Sequence, residues 1–472
     1  MATYYIDYNA ANDSANGTSK ATPWKRCPGM TGFAGSYSHS AGDIFVFKGG
    51  VTWPHAAMPL SIANSGTAGN IDTYTTDITW YTGGAFTKPI LDDGGLMSSG
   101  GMIQAYAKSY FKIDGLNIAN YGVAGGNGDK VIQLNGCEHV TITNCTSAAY
   151  SKIWIYSFQD GPAWKTYSDI NFNYNDVSHV TSFLWLTVAG SGCIYDGVNI
   201  IGNKLHDGHS MMVNDVHADM IIHSFNRTAG TYIDNLVISR NHVYGDWAKA
   251  DASAAGISGY IFQEAYVKNQ VICNNVFTVY PFTDRQLLEA CSFGSDVAGG
   301  TTYFVGNTID NTGNTGGPVI NTGCAAGTTL VVKNNIFIGG ATASLGEIGG
   351  TLDWDYNCWT VAQGGSYVGA IKTYAQWKAL GLDVHPVSPS LLGNDPLFTN
   401  AHLDQTLQAG SPCIDAGANL SGLGIAEVNL DFNGATRTGT WDIGAPEYGG
   451  GGGGGGSAVT FTSLTVGTLQ FA

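Results

Sequence analysis

The chain has 472 residues, of which 66 are Gly and 24 are Tyr; only 12% are charged, and the formal net charge is -16. So few Lys, Glu and Arg exclude an architecture of long solvated helices and point to an all-β protein with many tight turns. The acidic balance opposes nucleic acid and anionic membrane surfaces as partners, and no apolar run is long enough to span a bilayer.

The opening, MATYYIDYNAANDS, has no basic stretch followed by an apolar run, so Sec-dependent export is not expected. Residues 1–39 read as an N-terminal cap, and 40–361 read as a repeat. In the repeat an apolar residue is followed by a second two positions on, by Asn three further, and by another apolar residue two beyond that. The copies are Ile170, Phe172, Asn175, Val177; then Val198, Ile200, Asn203, Leu205; then Leu236, Ile238, Asn241, Val243. The pattern returns around Asn274 (Val271, Val276), Asn307 (Phe304, Ile309), Asn334 (Val331, Ile336) and Asn357 (Leu352, Trp354, Trp359). Two earlier copies keep the apolar frame, with Leu116 and Cys145 in the Asn slot.

Period-2 alternation inside each unit demands strands, and units of about 30 residues demand stacking, so each unit is one coil of a parallel β solenoid. Asn suits the bend between two strands because it tolerates the left-handed conformation, and its side-chain amide can bond to the same amide one coil up. The crossover rule makes the solenoid right-handed. The expected fold is therefore a single-stranded right-handed parallel β-helix with N- and C-terminal caps, since open rod ends would expose strand edges.

Several stretches resemble the pectate-lyase-like right-handed β-helix superfamily, especially the branch with chondroitinase B and alginate lyases. YYIDYNAANDSANGTSKATPWK (4–25) is similar to that group's opening strand and its turn before a short capping helix. AGDIFVFKGG (41–50), ITWYTGG and KPILDDGG (78–95) and YFKIDGLNIAN (110–120) resemble its first coils. TYAQWKALG (373–381), NDPLF (394–398), QAGSPCIDAG (408–417) and DFNGATRTGTWDIGAPEY (431–448) resemble a terminal region common on such proteins.

Residues 362–448 read as a C-terminal cap region, in which Thr373 is an N-cap, Trp377 and Leu380 give an apolar face and Gly381 stops a short helix. Eight glycines, 449–456, read as a flexible tether. The last stretch, 457–472, alternates as a strand would, and Phe461, Leu464, Val466, Leu469 and Phe471 are its expected docking side chains.

Nine cysteines are scattered without a C-x-x-C pair and read as small buried hydrophobes, so neither a zinc site nor a disulfide framework is expected. The stretch densest in functional groups is LHDGHSMMVNDVHADMIIH (205–223). Its His and Asp residues offer metal-ligand chemistry, but imidazoles near turns are more often hydrogen-bonding turn residues, and no metal is expected. Asp207, Asp215, Glu264 and Lys268 are the candidate catalytic groups. In the lyase branch a Lys and an Arg on neighbouring coils work beside acidic calcium ligands, which the resemblance carries to Lys268 and Arg240; calcium is implied only if the chain is a lyase. The paired-acid signature before that Lys is absent here, with Gln263 and Glu264 at different spacing. A glycosidase would instead use two carboxyl groups from stacked coils, with Asp207, Asp215, Asp246 and Glu264 eligible. Trp247, Tyr260, Tyr266 and Tyr280 lie in the longest coils and are candidates for stacking on sugar rings.

The function expected first is that of a virion structural or appendage protein: a phage spike, head fibre or decoration protein with a β-helix surface for host glycan or receptor. Such a protein is made in the host cytoplasm, joins other virion proteins through its C-terminal tail and, by analogy with viral β-helix spikes, forms a homotrimer. The alternatives are a polysaccharide-degrading enzyme, lyase or glycosidase, and a bacterial surface adhesin, both extracellular or on the cell surface.

Overall fold

The computed structural model describes all residues except 98, 123–129, 160–164, 189–191, 211–218, 226–227, 229, 246–247, 250–258, 264, 280–289, 312–317, 340–342, 361–364, 386–394, 401–402 and 450–472. Alternating short apolar strands stack in parallel from Thr3–Ile6 to Thr351–Asp355, and the rod is a right-handed parallel β-helix. Each coil contributes three strands. In one coil, Ile194–Ile201 lies in the first sheet, Lys204–His206 in the second and Asp219–Phe225 in the third. In the two coils before it the second and third sheets run together, as Thr146–Gln159 and Asp176–Val188, with a register shift between Ala148 and Ser151 where the chain bends. Register between coils is strict: Ile142 stacks on Phe172, Phe172 on Ile200, and Ile200 on Ile238. Their inward side chains form one apolar core that runs from Ile6 to Leu382.

The corner between the first and second sheets carries the organising feature. Asn175, Asn203, Asn241, Asn275, Asn307, Asn335 and Asn357 stand one above another, all buried. Each gives its backbone N–H and its Nδ2 to the Oδ1 of the next, at 2.9 to 3.1 Å. Nδ2 also donates backward to a carbonyl of the preceding coil, as from Asn203 to Phe172 O at 2.8 Å. Cys145 N–H donates to Asn175 Oδ1 and so forms the other end of the column.

Two of the expected ladder residues are corrected here. Asn274 and Asn334 are not rungs; their neighbours Asn275 and Asn335 are. In each coil the residue before the rung takes the left-handed conformation: Tyr174 (φ 58°), Gly202 (67°), Arg240 (55°), Asn274 (57°), Gly306 (66°), Asn334 (58°) and Tyr356 (59°). The strained backbone and the stacked amide therefore belong to adjacent residues, and where the sequence reads Asn-Asn the first takes the strain and the second the stack. The inward frame agrees, since Ile272, Phe277, Val332 and Phe337 are the core residues flanking these rungs.

Asp383 terminates the ladder. Its Oδ1 accepts Asn357 Nδ2 at 3.0 Å and Asn357 N–H at 3.3 Å, and its Oδ2 accepts the indole N–H of Trp354 at 3.0 Å and of Trp359 at 3.1 Å. Burial pushes its pKa up to about 6 against the pull of those donors. The aligned amides all point their N–H ends at this carboxylate, as a helix N-terminus does at an anion, so charge and dipole agree.

The 362–448 segment packs in two ways. Helix α1 (Tyr374–Ala379) has Thr373 as its N-cap in a capping box with Gln376, and Trp377 seats edge-on against Trp354 at the rod end. Leu380, expected on the apolar face, is exposed because the helix ends one residue earlier, before Gly381. The segment from 395 to 448 wraps the flank instead. Leu420, Ile425, Val428 and Trp441 cover Val271, Cys273, Val305 and Val331 on the outer first sheet. Phe398, Leu407, Cys413 and Ile443 cover Ile336 and Cys358 on the second. Between these patches the left-handed corner residues point outward and hold the wrap. Arg240 pairs with Glu427 at 2.9 Å, Asn274 Nδ2 donates to the carbonyls of Glu427 and Leu430, and Asn334 exchanges two bonds with Ala418. Arg437, itself buried, bonds Asn274 Oδ1, Glu447 and the carbonyls of Leu430, Gly444 and Ala445.

At the other end, residues 7–39 contain no α-helix, although the resemblance implied a short capping one. Asn9, Ser14 and Thr18 N–H groups are taken by the side chains of Asp7, Asn12 and Asn16, local bonds that compete with a helix. Trp24 closes this end, fully buried and stacked on Tyr4 at 4.7 Å.

Asn275→Ala should lower stability by about 2–4 kcal/mol by stranding buried backbone and rung donors, whereas Asn274→Gly, which keeps the backbone relaxed, should cost about 1–2 kcal/mol. Denaturant unfolding measures both, and the reverse order would refute the assignment of rungs. Asp383 ionises near 6 when folded and near 4 when unfolded, so the folded state takes up a proton between those values and this group favours folding more as pH falls. The advantage of the natural protein over Asp383→Asn in unfolding midpoint should therefore grow from about pH 7 to about pH 5.

Candidate functional site

On the outer face of the second sheet, register places Asp176 beside Lys204 and His242, and Ser178 beside His206 and Tyr244. His206 is clamped between two carboxylates: Nε2 to Asp176 Oδ1 at 2.9 Å and Nδ1 to Asp207 Oδ2 at 2.7 Å. Tyr244 stacks on its ring at 5.0 Å. The hydrogen bond to Asp176 raises the His206 pKa, and the same bond lowers that of Asp176. One coil on, His242 packs on Tyr244 and edge-on to Phe432 of the wrap, and burial depresses it to about 4. Burial also lifts the Tyr244 hydroxyl to about 12. This group thus holds an imidazole with both nitrogens engaged by carboxylates, which favour its charged form, and, at neutral pH, a neutral sealed imidazole and a protonated phenol.

Asp207 belongs to this cluster, in the left-handed conformation at the turn after the second sheet. Lys268 does not: it follows the third-sheet strand Gly259–Gln263, at the far edge of that sheet, and its ammonium lies 3.6 Å from Asp234. The structure therefore separates the two described members of the expected catalytic set. Asp215 and Glu264 lie outside the described residues. Arg240, the cation implied for a uronate carboxylate, is buried and paired with Glu427. Among the described residues no cluster of three or more His, Cys, Asp or Glu has metal-binding geometry.

Tyr260 is corrected from sugar platform to core residue. It is fully buried, stacked on Phe277 at 4.9 Å, and its hydroxyl donates to Asp310 O at 2.8 Å. Tyr266 is half-buried in the turn beyond the third sheet, and Trp247 and Tyr280 lie outside the described residues, as do the tail residues Phe461, Leu464, Val466, Leu469 and Phe471.

A different aromatic surface went unread in the sequence. On the outer third sheet, Gln104, Gln133, Tyr156 and Trp185 form one row in register, and Tyr106, Asn135 and Phe158 form the next. Tyr106 is 48% exposed, while Tyr156, Phe158 and Trp185 are half-buried, bedded on the rod. The Tyr156 and Phe158 rings lie nearly parallel, 7° apart, and the Lys130 ammonium sits 4.9 Å from the Tyr156 ring centre. The signal was present as alternation, since IQAY, IQLN, IYSF and LWLT each put polar or aromatic residues at every second position of a buried strand.

No protein-family model and no curated protein matches the chain. Among solved structures it is similar to the pectate lyase Pel9A, at 15% identity over 95% of this chain and 96% of that one, with a TM-score of 0.44. An alginate lyase from Paenibacillus sp. str. FPU-7 matches at 15% identity over 66% and 93%, with a TM-score of 0.33. A tailspike protein of E. coli bacteriophage HK620, solved with a pentasaccharide, matches at 11% over 66% and 72%, with a TM-score of 0.29.

His206→Gln should destabilise the protein by about 0.5–1 kcal/mol near pH 5.5, a small value because the flanking carboxylates are partly solvated. The clamp's contribution is present between the lowered pKa of Asp176 and the raised pKa of His206, and it disappears as pH rises through the latter. Urea unfolding near pH 8.5 should therefore show a smaller difference.

Proposed function

We propose that the chain is a glycan-binding β-helix appendage without hydrolase or lyase activity, carried on a larger assembly. The observation that supports this reading is the double row of aromatic and amide side chains on the outer third sheet. Ring faces suit the apolar face of a pyranose, flanking amides suit its hydroxyls, and side chains about 4.8 Å apart within each row repeat along the rod as sugars repeat along a chain. A neutral host surface polysaccharide fits the net charge of -16 better than a polyuronate.

The polar cluster supports binding over catalysis. A glycosidase needs open space between its two carboxyl groups, but the His206 ring fills the gap between Asp176 and Asp207. A lyase needs a base with free access and a matched pKa, whereas His242 is depressed to about 4 and its Nε2 is sealed from solvent. The assembly we favour is a virus particle, with residues 457–472 as the docking strand, the glycines as its tether and a trimer as the displayed unit.

Trp185→Ala and Tyr156→Ala should each weaken binding to the recognised polysaccharide by about 10-fold or more while leaving the unfolding midpoint within a few degrees. Screening on a glycan array followed by calorimetry tests this; unchanged affinity in both variants, or rapid release of unsaturated products from alginate or chondroitin, would overturn the reading. Deleting 449–472 should leave a folded, soluble rod that still binds glycan but no longer joins its assembly, as measured by occupancy on purified particles.

A further inference from the structure

The wrap meets the rod at a pair of cysteines that the spacing of the nine did not single out. Cys358 lies in the last second-sheet strand, Cys358–Trp359, and Cys413 lies in the wrap above it. Both are fully buried in one apolar cluster with Ile336, Phe398, Leu407 and Ile443. The neighbouring Cys413 side chain, together with burial, pushes the Cys358 thiol well above its ordinary range. Backbone bonds fix both positions, Cys358 N–H to Asn335 O at 2.8 Å and Ile443 N–H to Cys413 O at 3.0 Å. Other cysteines are used differently: Cys137 and Cys145 donate to backbone carbonyls, and Cys273 lies 3.4 Å from the Ser239 hydroxyl.

We propose that Cys358 and Cys413 are a cross-linking site, joined as a disulfide when the protein folds in the presence of a disulfide oxidant such as oxidised glutathione. The bond fastens the wrap covalently to the final coils. It forms in two exchanges. While the wrap is still undocked, the Cys413 thiolate attacks oxidised glutathione; a Cys413–glutathione bond forms, the glutathione S–S bond breaks, and one glutathione thiol leaves with the proton. Docking brings Cys358 against that mixed disulfide, its sulfur displaces the second glutathione, and the net change is two protein thiols oxidised and one glutathione disulfide reduced to two thiols. Once the wrap is seated, the neighbouring Cys413 side chain and burial hold the reduced Cys358 thiol protonated, so a protein that folds without oxidant stays in the thiol form.

The test refolds the full chain with and without oxidised glutathione, denatures it in an alkylating agent, and counts free thiols by mass. Nine free thiols in the reducing sample should fall to seven in the oxidised one, with a single cross-linked peptide pair containing residues 358 and 413. Cys413→Ser and Cys358→Ala should each keep all their thiols free under the same conditions, while Cys137→Ser should still lose two. Nine free thiols after oxidative refolding of the natural chain, or a cross-link joining any other pair, would overturn the proposal.

Discussion

A buried backbone amide at a bend has no strand to bond to, and in a rod of stacked coils this problem recurs at the same corner of every coil. An unpaired N–H there costs on the order of 1–3 kcal/mol, and the cost would accumulate along the axis. The Asn column answers it. One Oδ1 accepts two donors from the coil before it, and each Nδ2 also reaches back to a carbonyl, so every rung ties three coils together. Coil length is free to vary between rungs, from 22 to 38 residues, because the corner sets the stacking and loops absorb the difference.

The same corner also organises the surface. To turn inward at the rung, the chain must adopt a left-handed residue just before it, and that residue necessarily faces out. Over the coils from Arg240 to Asn334 the wrap exploits this, taking hydrogen bonds and an ion pair from residues whose conformation the ladder already requires. Tyr156 and Trp185 stand on the outer third sheet of the coils before them.

Periodicity made the coils legible in sequence, because strand alternation with an Asn at fixed offset is a pattern that few folds besides a stacked solenoid produce. It failed where two asparagines adjoin, at 274–275 and 334–335, since either satisfies a loose apolar frame and only the inward positions of Ile272 and Val332 decide between them. Tyr260 was misassigned because a long coil looks like a loop, yet the residue lies within a third-sheet strand with its ring buried. The third-sheet platform was missed for the opposite reason: long merged strands such as Asp176–Val188 read as continuous apolar runs, and which residues face out depends on the bend that precedes them. Asp383 had no local signal, since its role exists only once Asn357, Trp354 and Trp359 have been stacked above the rest of the column.

The ladder has a direction, and so does a ribosome. Every rung's backbone N–H and one of its two Nδ2 hydrogens point toward coils made later, so at each stage of synthesis the newest coil ends in an amide whose forward acceptor has not yet been translated. The growing rod thus always offers one live docking point for the next coil and none for an earlier one, which makes stacking out of order unproductive. Growth ends chemically when Asp383 supplies an acceptor with no donors of the same kind to pass on. A nascent chain halted between residues 357 and 383 would carry a finished rod with an open end, the form most prone to recruit a strand or a coil from another molecule.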